Sequence, residues 1–285
     1  MLVSVYLPTR NRVELMSRAV DSVLVQSYRP LELIVVNDGS TDATRAWLDD
    51  AARSDSRLRV IHNPLPLGAP RSRNLAILRA LGEFITGLDD DDQFHPERIA
   101  ALVRHWRTLE RAGEKFSCLY TQDFLVYDDQ AGVSQKPARV EFGDLFFYNS
   151  IGNQVFTRRE SLIDCGMFDE GMPAWQDLDV FMRLVSRFGS AQLLDRALYY
   201  VNLEPRPDRI SVGSKERILA AYRRLGRKML SAPAAWRQAL FLQVYGRLYG
   251  FRLGLEDLRE YLRYGLHART MRILAGILAR QAGRR

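Results

Sequence analysis

Along the first hundred residues, short apolar runs alternate with amphipathic stretches. Four runs rich in β-branched or aromatic residues, Leu2 to Leu7, Leu31 to Val36, Leu58 to Ile61 and Phe84 to Leu88, read as strands. Between the first two, Val13, Met16, Val20, Val23 and Leu24 recur at the three-to-four spacing of one helix face. A second helix is predicted to begin after Ser40 or Thr41, whose short oxygen side chains suit an N-cap, and to carry Trp47 and Leu48. A third helical pattern covers Ser72 to Leu81, and a further helix is predicted to open at Pro96. Strands joined by crossover helices predict an α/β fold with a doubly wound, mostly parallel sheet, because parallel neighbours need a connection of that length. Such sheets bind ligands outside the carboxyl ends of their strands. Thr9 to Asn11, Asn37 to Gly39 and Asp89 to Asp92 all fall at such ends, so three polar clusters are expected to meet in one crevice.

After about residue 110 the pattern becomes mixed. A strand is predicted from Cys118 to Tyr127, turn chemistry at Asp128-Asp129, an extended segment from Asn153 to Phe156, and a helix from Leu178 to Phe188. Pro205 and Pro207 punctuate a loop, and beyond Ser214 the chain reads as helices. Ile218, Tyr222, Leu225 and Met229 form one apolar stripe there, while Arg223, Arg224, Arg227 and Lys228 lie away from it. The reading divides the chain into residues 1–110, residues 111–214 of the same domain, and a helical extension over 215–285.

With 285 residues and 47% hydrophobic content, the chain has enough apolar material for a sizeable core. The two cysteines, Cys118 and Cys165, lack zinc-site spacing and are expected to be free thiols. Neither a signal peptide nor an apolar stretch of about 18 residues is evident, which predicts a cytoplasmic protein, at most peripheral at the inner face of the membrane. The net charge of +7 hides an asymmetry: residues 215–285 hold 16 Lys and Arg against 4 Asp and Glu, +12, leaving −5 for the rest. An acidic body carries a basic tail.

The segment LDDDDQFHPERI, Leu88 to Ile99, sets four aspartates side by side. Carboxylates that close repel one another unless a cation or a proton shares the charge, which makes this segment a candidate metal site. Together with VSVYLPTRNR, ELIVVNDGSTD, PLGAPRSRNLAI, GEFITGLDDDDQFHPERI and CGMFDEGMPAWQDLDVFMRL, in that order over residues 1 to 190, it resembles the family-2 glycosyltransferases of the GT-A fold. The resemblance implies an inverting enzyme moving a sugar from a nucleotide-sugar donor, UDP- or dTDP-linked by preference, to a glycan or lipid-linked acceptor in bacterial surface polysaccharide synthesis. Residues 1–110 then form the nucleotide-sugar-binding half and 111–214 the acceptor-binding and catalytic half.

Residue by residue, the resemblance puts Asp38 on the nucleoside base, where a carboxylate accepts the imide N–H and Gly39 lets the backbone turn closely. Thr9, Arg10, Asp89 and Asp90 join the donor site, and Asp91, five residues before Pro96, matches the metal-binding aspartate. Oxygen ligands of this kind suit Mn2+ or Mg2+, which bridge the donor's diphosphate. Asp92 has a competing role as cap of the following helix, and His95 as helix-start packing. Arg73 matches the arginine that supports the nucleotide, with Arg71 as a neighbour and Asp38 as a further partner for the guanidinium. Asp177 matches the general base, although Gln176 stands where relatives have glutamate. Trp175 fits either an acceptor-stacking or a core role. Where relatives carry a histidine, the chain offers Asn202 and then Arg206, Arg209 and Ser211. The basic tail fits a membrane surface, with domain packing and dimerisation as alternatives. Two other readings stay open: a degenerate glycosyltransferase-like scaffold, and a nucleic-acid binder whose tail meets phosphate.

Overall fold

The computed structural model describes residues 1–127, 130–204 and 214–283. Its first half is a set of strand–helix units: β1 (Val3–Thr9), α1 (Val13–Leu24), β2 (Leu31–Asp38), α2 (Thr44–Ser54), β3 (Leu58–Asn63), α3 (Ala69–Arg79) and β4 (Phe84–Gly87). β1 lies between β2 and β4, β2 also pairs β3, and all three pairings are parallel. β5 (Gln93–Phe94) and α4 (Arg98–Arg111) follow. The second half contributes β6 (Cys118–Tyr127), β7 (Gln130–Val133), β8 (Arg139–Val140), β9 (Phe156–Arg158), α5 (Arg159–Asp164), α6 (Gln176–Phe188) and β10 (Ala191–Asn202). The sheet runs β3-β2-β1-β4-β9-β6-β10-β5. β9 is antiparallel to both β4 and β6, and the parallel direction resumes in the β6–β10 pair. The expected mostly parallel α/β sheet is present, with the reversal at β9 joining its halves.

Alternation along β1 explains why helices cover both faces. Val3, Val5 and Leu7 point into one core with Val20, Leu33 and Phe84, while Tyr6 points into the other with Ile34, Ile77 and Ile85. Every residue of β1 and β2 is buried, as a parallel sheet sandwiched between helices requires. α2 starts later than its sequence suggests, at Thr44 after Ala43, and neither Ser40 nor Thr41 caps it; Asp42 makes an Asx-type turn into the helix, the Thr44 N–H donating to its Oδ1 (3.0 Å). Ser40 and Thr41 instead tie the ends of β1 and β2 together, through Asn11 N–H to Ser40 Oγ (2.9 Å) and Thr41 N–H to Asn11 Oδ1 (2.7 Å). α4 begins two residues beyond Pro96, and the predicted extended segment Asn153 to Phe156 gives way to a strand only from Phe156.

The C-terminal helices are α7 (Lys215–Lys228), α8 (Ala234–Gln243), α9 (Leu255–Leu262) and α10 (Ala268–Ala282). The stripe Ile218, Tyr222, Leu225 and Met229 is buried in the same core as Phe181 and Val185 of α6. Trp236 of α8 packs on Phe142 and Phe146. The extension therefore rests on the sheet-bearing part of the molecule. No helix among the described residues is long and apolar enough to cross a membrane. Both cysteines are free thiols. The turn expected at Asp128-Asp129 and the loop of Pro205, Arg206, Pro207, Arg209 and Ser211 lie outside the described residues.

Candidate active site

The parallel pairing of β1 with β2 and β4 brings the three polar strand ends together. At the end of β2, Asp38 Oδ1 accepts from the Leu67 N–H and Asn63 Nδ2 (both 2.8 Å), and Oδ2 from the Gly68 N–H (2.8 Å). Burial would raise its pKa, but these donors outweigh it and hold the carboxyl below the usual range. Asp38 thus shapes the β3–α3 loop, and that loop packs so closely on Gly39 that an added Cβ would lie 2.7 Å from Pro66 N. Arg73 does not pair with Asp38.

After β4 the four aspartates separate into individual environments. Asp89 accepts from Arg73 Nη2, Asn153 Nδ2 and Gln154 Nε2, each at 3.0 Å. Asp90 is buried and accepts from Thr9 Oγ1 (2.8 Å) and Arg12 Nη1 (2.7 Å); burial nevertheless pushes its pKa up to about 6. Asp91 sits 3.9 Å from Arg12 Nη1. Asp92 is buried and does not cap α4. It accepts from Tyr199 Oη and Asn153 Nδ2 (both 2.9 Å) and from the Asn202 N–H (3.0 Å), and burial drives its pKa well up. The charge expected to require a metal is shared in large part by the protein itself: two arginines and the raised proton affinity of Asp90 and Asp92. Arg12 rather than Arg10 reaches the cluster, and Arg10 is exposed. His95 stacks near Tyr200 and its backbone N–H donates to Leu198, so it serves helix-start packing.

Arg73 is the hinge between this cluster and α6. Only 6% exposed, it donates to Asp89 and to Gln176 Oε1 (2.8 Å), and its guanidinium lies 5.2 Å from the Phe168 ring centroid. The amide oxygen of Gln176 therefore accepts the bond that a glutamate would. Arg71, by contrast, is more than half exposed beside Glu170. The neighbouring Asn74 closes a reciprocal pair with the backbone of Phe168, N–H to Oδ1 at 2.9 Å and Nδ2 to carbonyl at 2.8 Å, fixing the segment that leads into α6.

Asp177, in the first turn of α6, is half-buried, and its Oδ1 is shielded from solvent with no hydrogen-bond partner among the described residues. Burial raises its pKa to about 7, with Arg73 pulling it down and Asp89 pushing it further up. A carboxylate that titrates near neutral pH and has an acceptor atom uncommitted is equipped to take a proton. Trp175, in a left-handed conformation (φ 57°), donates its indole N–H to Tyr249 Oη at 2.7 Å, so it belongs to the packing between α6 and the C-terminal extension. Asn202 contributes its backbone N–H to Asp92, while its Oδ1 accepts from the Glu204 N–H (2.9 Å).

Asn153, Gln154, Tyr199 and Asn74 were not singled out by sequence. The one available signal was Asn153-Gln154, an amide pair set in an otherwise apolar run. Gly87 supports it from below: an added Cβ would lie 1.9 Å from Gln154 Oε1 and 2.5 Å from the Tyr6 ring. Gly87→Ala is expected to displace Gln154 from Asp89 and to cost about 1–3 kcal/mol through overpacking, measured as a lowered melting temperature. An unchanged melting temperature would mean that Gln154 swings aside without loss.

This arrangement of a strand-end acidic segment, a bridging arginine and a helix-opening carboxylate coincides with a family match. Residues 4–165 match the model of glycosyl transferase family 2. The chain belongs to that family. It is 37% identical over 207 residues to WcaA of Escherichia coli K12, provisionally named as a colanic acid biosynthesis glycosyl transferase, covering 71% of this chain and 72% of that one. It is 31% identical over 151 residues to the Escherichia coli UDP-Glc:alpha-D-GlcNAc-diphosphoundecaprenol beta-1,3-glucosyltransferase WfaP, covering 53% and 57% of the two chains. In structure it resembles S. aureus TarS 1-349 in complex with UDP-GlcNAc, with a TM-score of 0.71 at 22% identity over 93% of this chain and 79% of that one. The protein is thus a family-2 glycosyltransferase with the GT-A fold and a C-terminal helical extension.

Proposed function

We propose that this glycosyltransferase transfers a sugar, with inversion, from a UDP- or dTDP-linked donor to a glycan or lipid-linked acceptor of a bacterial surface polysaccharide. The observation that carries the reading is Asp177, a carboxylate with a pKa of about 7 and an unpartnered Oδ1, held across Arg73 from Asp89. In the step itself the acceptor oxygen forms its bond to the anomeric carbon as the carbon–oxygen bond to the diphosphate breaks. The acceptor proton passes to Asp177 and the nucleoside diphosphate leaves from the opposite face. Asp38, Thr9 and Arg10 are assigned to the nucleotide side, with Asp38 setting the loop against which the base lies, while Asp89 and Asp90 border the ribose and diphosphate. Arg73 supports this side by orienting Asp89. The names of WcaA and WfaP support a polysaccharide role, and that of WfaP a lipid diphosphate acceptor.

A divalent cation, Mn2+ or Mg2+, fits these residues in one way. No group of three or more His, Cys, Asp or Glu side chains is arranged to hold a metal among the described residues. Ions of this class are commonly bound by one or two carboxylates and completed by substrate phosphates and water, which matches Asp91 beside the inward-held Asp90 and Asp92. When bound, the ion supplies positive charge to the departing diphosphate. A chelator is expected to reduce transfer at least tenfold while leaving the melting temperature unchanged, since Arg12 and Arg73 already balance the resting site. Undiminished transfer in excess chelator would remove the metal from the proposal.

Calorimetric titration with UDP and dTDP, each with and without manganese, tests the donor assignment. Metal-dependent binding that is lost in Asp91→Asn is the expected result. Binding of neither nucleotide would overturn the choice of base and favour a scaffold.

A further inference from the structure

The two flanks of α7 are used differently. On one, Arg217, Arg224 and Lys228 are engaged by the Pro173 carbonyl, Asp169 and Asp179. On the other, Arg223 and Arg227 meet Arg237 of α8 and Tyr264 around a cavity of about 290 Å3, whose lining also includes Leu230 and Glu260. Among the described residues no carboxylate lies within ion-pairing distance of these three arginines, and Glu260 is held by Arg263 at 2.7 Å. Arg237 stacks its guanidinium 5.3 Å from the Tyr264 ring centroid, and its Nε is shielded from water without a hydrogen-bond partner. Three like charges around one cavity repel one another, so an anion bound among them would relieve that repulsion.

We propose that this groove binds the phosphate headgroup of an anionic lipid and so docks the glycosyltransferase on a membrane surface. Guanidinium forks match phosphate oxygens bidentately, which favours phosphate over a simple point-charge partner. The volume of about 290 Å3 falls at the lower edge of ordinary small-molecule sites, roughly 300–1,000 Å3, and so suits a headgroup better than a nucleotide sugar. Leu230, 66% exposed, places an apolar side chain beside the arginines, a feature that a lipid uses and free phosphate does not. The charge of +12 on residues 215–285 draws the same surface towards anionic headgroups. The inference rests on reading the basic extension as membrane-facing, and it is independent of which donor and acceptor the active site takes.

The test is co-sedimentation of the full chain with vesicles of phosphatidylcholine alone or mixed with phosphatidylglycerol. The variant R223Q/R227Q, which leaves the half-buried Arg237 in place, is compared with R259Q/R272Q, which removes equal charge from exposed positions of the extension outside the groove. The expected result is binding to the phosphatidylglycerol vesicles that falls at least tenfold in the groove variant and less than threefold in the control, with both variants retaining the wild-type melting temperature. R223K/R227K, which keeps the charge but loses the fork, should fall between them. Equal losses in the two glutamine variants would reduce the effect to diffuse attraction and overturn the site. Calorimetric binding of inorganic pyrophosphate without vesicle binding would make a soluble phosphate the occupant and overturn the lipid. Concentration-dependent self-association through the groove, without vesicle binding, would likewise replace the lipid with a second copy.

Discussion

Asp177→Asn should lose transfer by about 10²–10⁴-fold, the usual contribution of a positioned general base, while gaining stability at alkaline pH. Both effects follow from the same environment. The wild-type carboxyl titrates at about 7 because burial disfavours its charge. Transfer should therefore rise with pH through about 7 and level off above it, since only the ionised form accepts the acceptor's proton. For stability the sign is opposite: a folded-state pKa raised above the unfolded value favours the fold at low pH and loses that contribution as pH rises through 7. Asparagine carries no such ionisation, so the variant should melt above wild type at pH 8 and approach it near pH 5. Parallel pH series of transfer rate and melting temperature check both halves. A variant that keeps its rate would show that another group takes the acceptor proton, and one that loses rate without the pH-dependent stability gain would show that Asp177 is not the strained carboxyl.

The strands and helices of the first half were readable because burial on a parallel sheet imposes simple periods. β6 matches its predicted limits, and the α7 stripe at Ile218, Tyr222, Leu225 and Met229 is buried as the three-to-four spacing requires. The convergence of Thr9, Asp38 and Asp89 on one edge also follows from sequence, since it needs only parallel order. What sequence could not supply is how the acidic segment is neutralised. Asp92 takes its hydrogen bonds from residues 61 and 107 positions away, Asn153 and Tyr199, and no local pattern reports pairings of that range. A cap for α4 was the local expectation; β10, packed beside β5, brings the Tyr199 hydroxyl inward and takes the carboxylate instead. That Arg12 is the arginine paired with Asp90 was equally out of reach of a local pattern, since the two arginines flank Asn11, whose backbone turns at φ 52°. The tail's four cations looked alike in sequence, whereas the helix presents Arg224 and Lys228 to the body and Arg223 and Arg227 to the groove.

Lys228→Met should lower both stability and turnover while leaving donor affinity nearly intact. Asp179, two residues beyond the base on α6, is fully buried, with Lys228 Nζ and Arg183 Nη2 each at 2.7 Å. Lys228 also holds Asp169 Oδ2 at 2.7 Å, and Arg224 donates to both oxygens of Asp169, whose carboxyl these partners keep well below the usual range. Asp169 and Asp179 bracket the segment that carries Trp175, Gln176 and Asp177, so α7 clamps the approach to the base from outside the sheet. Removing one member of a buried ion pair costs about 3–5 kcal/mol when the other is left alone. Lys228 is itself solvent-accessible and Arg183 remains beside Asp179, which should reduce the loss to about 1–2 kcal/mol. A purely structural lysine would lower the melting temperature and leave the turnover of the folded fraction unchanged. A positioning lysine should reduce turnover by an order of magnitude or more below the melting transition, because a displacement of about 1 Å at the reacting centre has effects of that size. UDP affinity should change little, since Asp38 and Asp89 are held by other residues. Lys228→Arg should recover most of the rate, and the double variant with Asp179→Asn should be more stable than Lys228→Met alone, since it no longer buries an under-compensated charge. Normal turnover in folded Lys228→Met would confine α7 to packing and leave the alignment of Asp177 to Arg73 and Asn74.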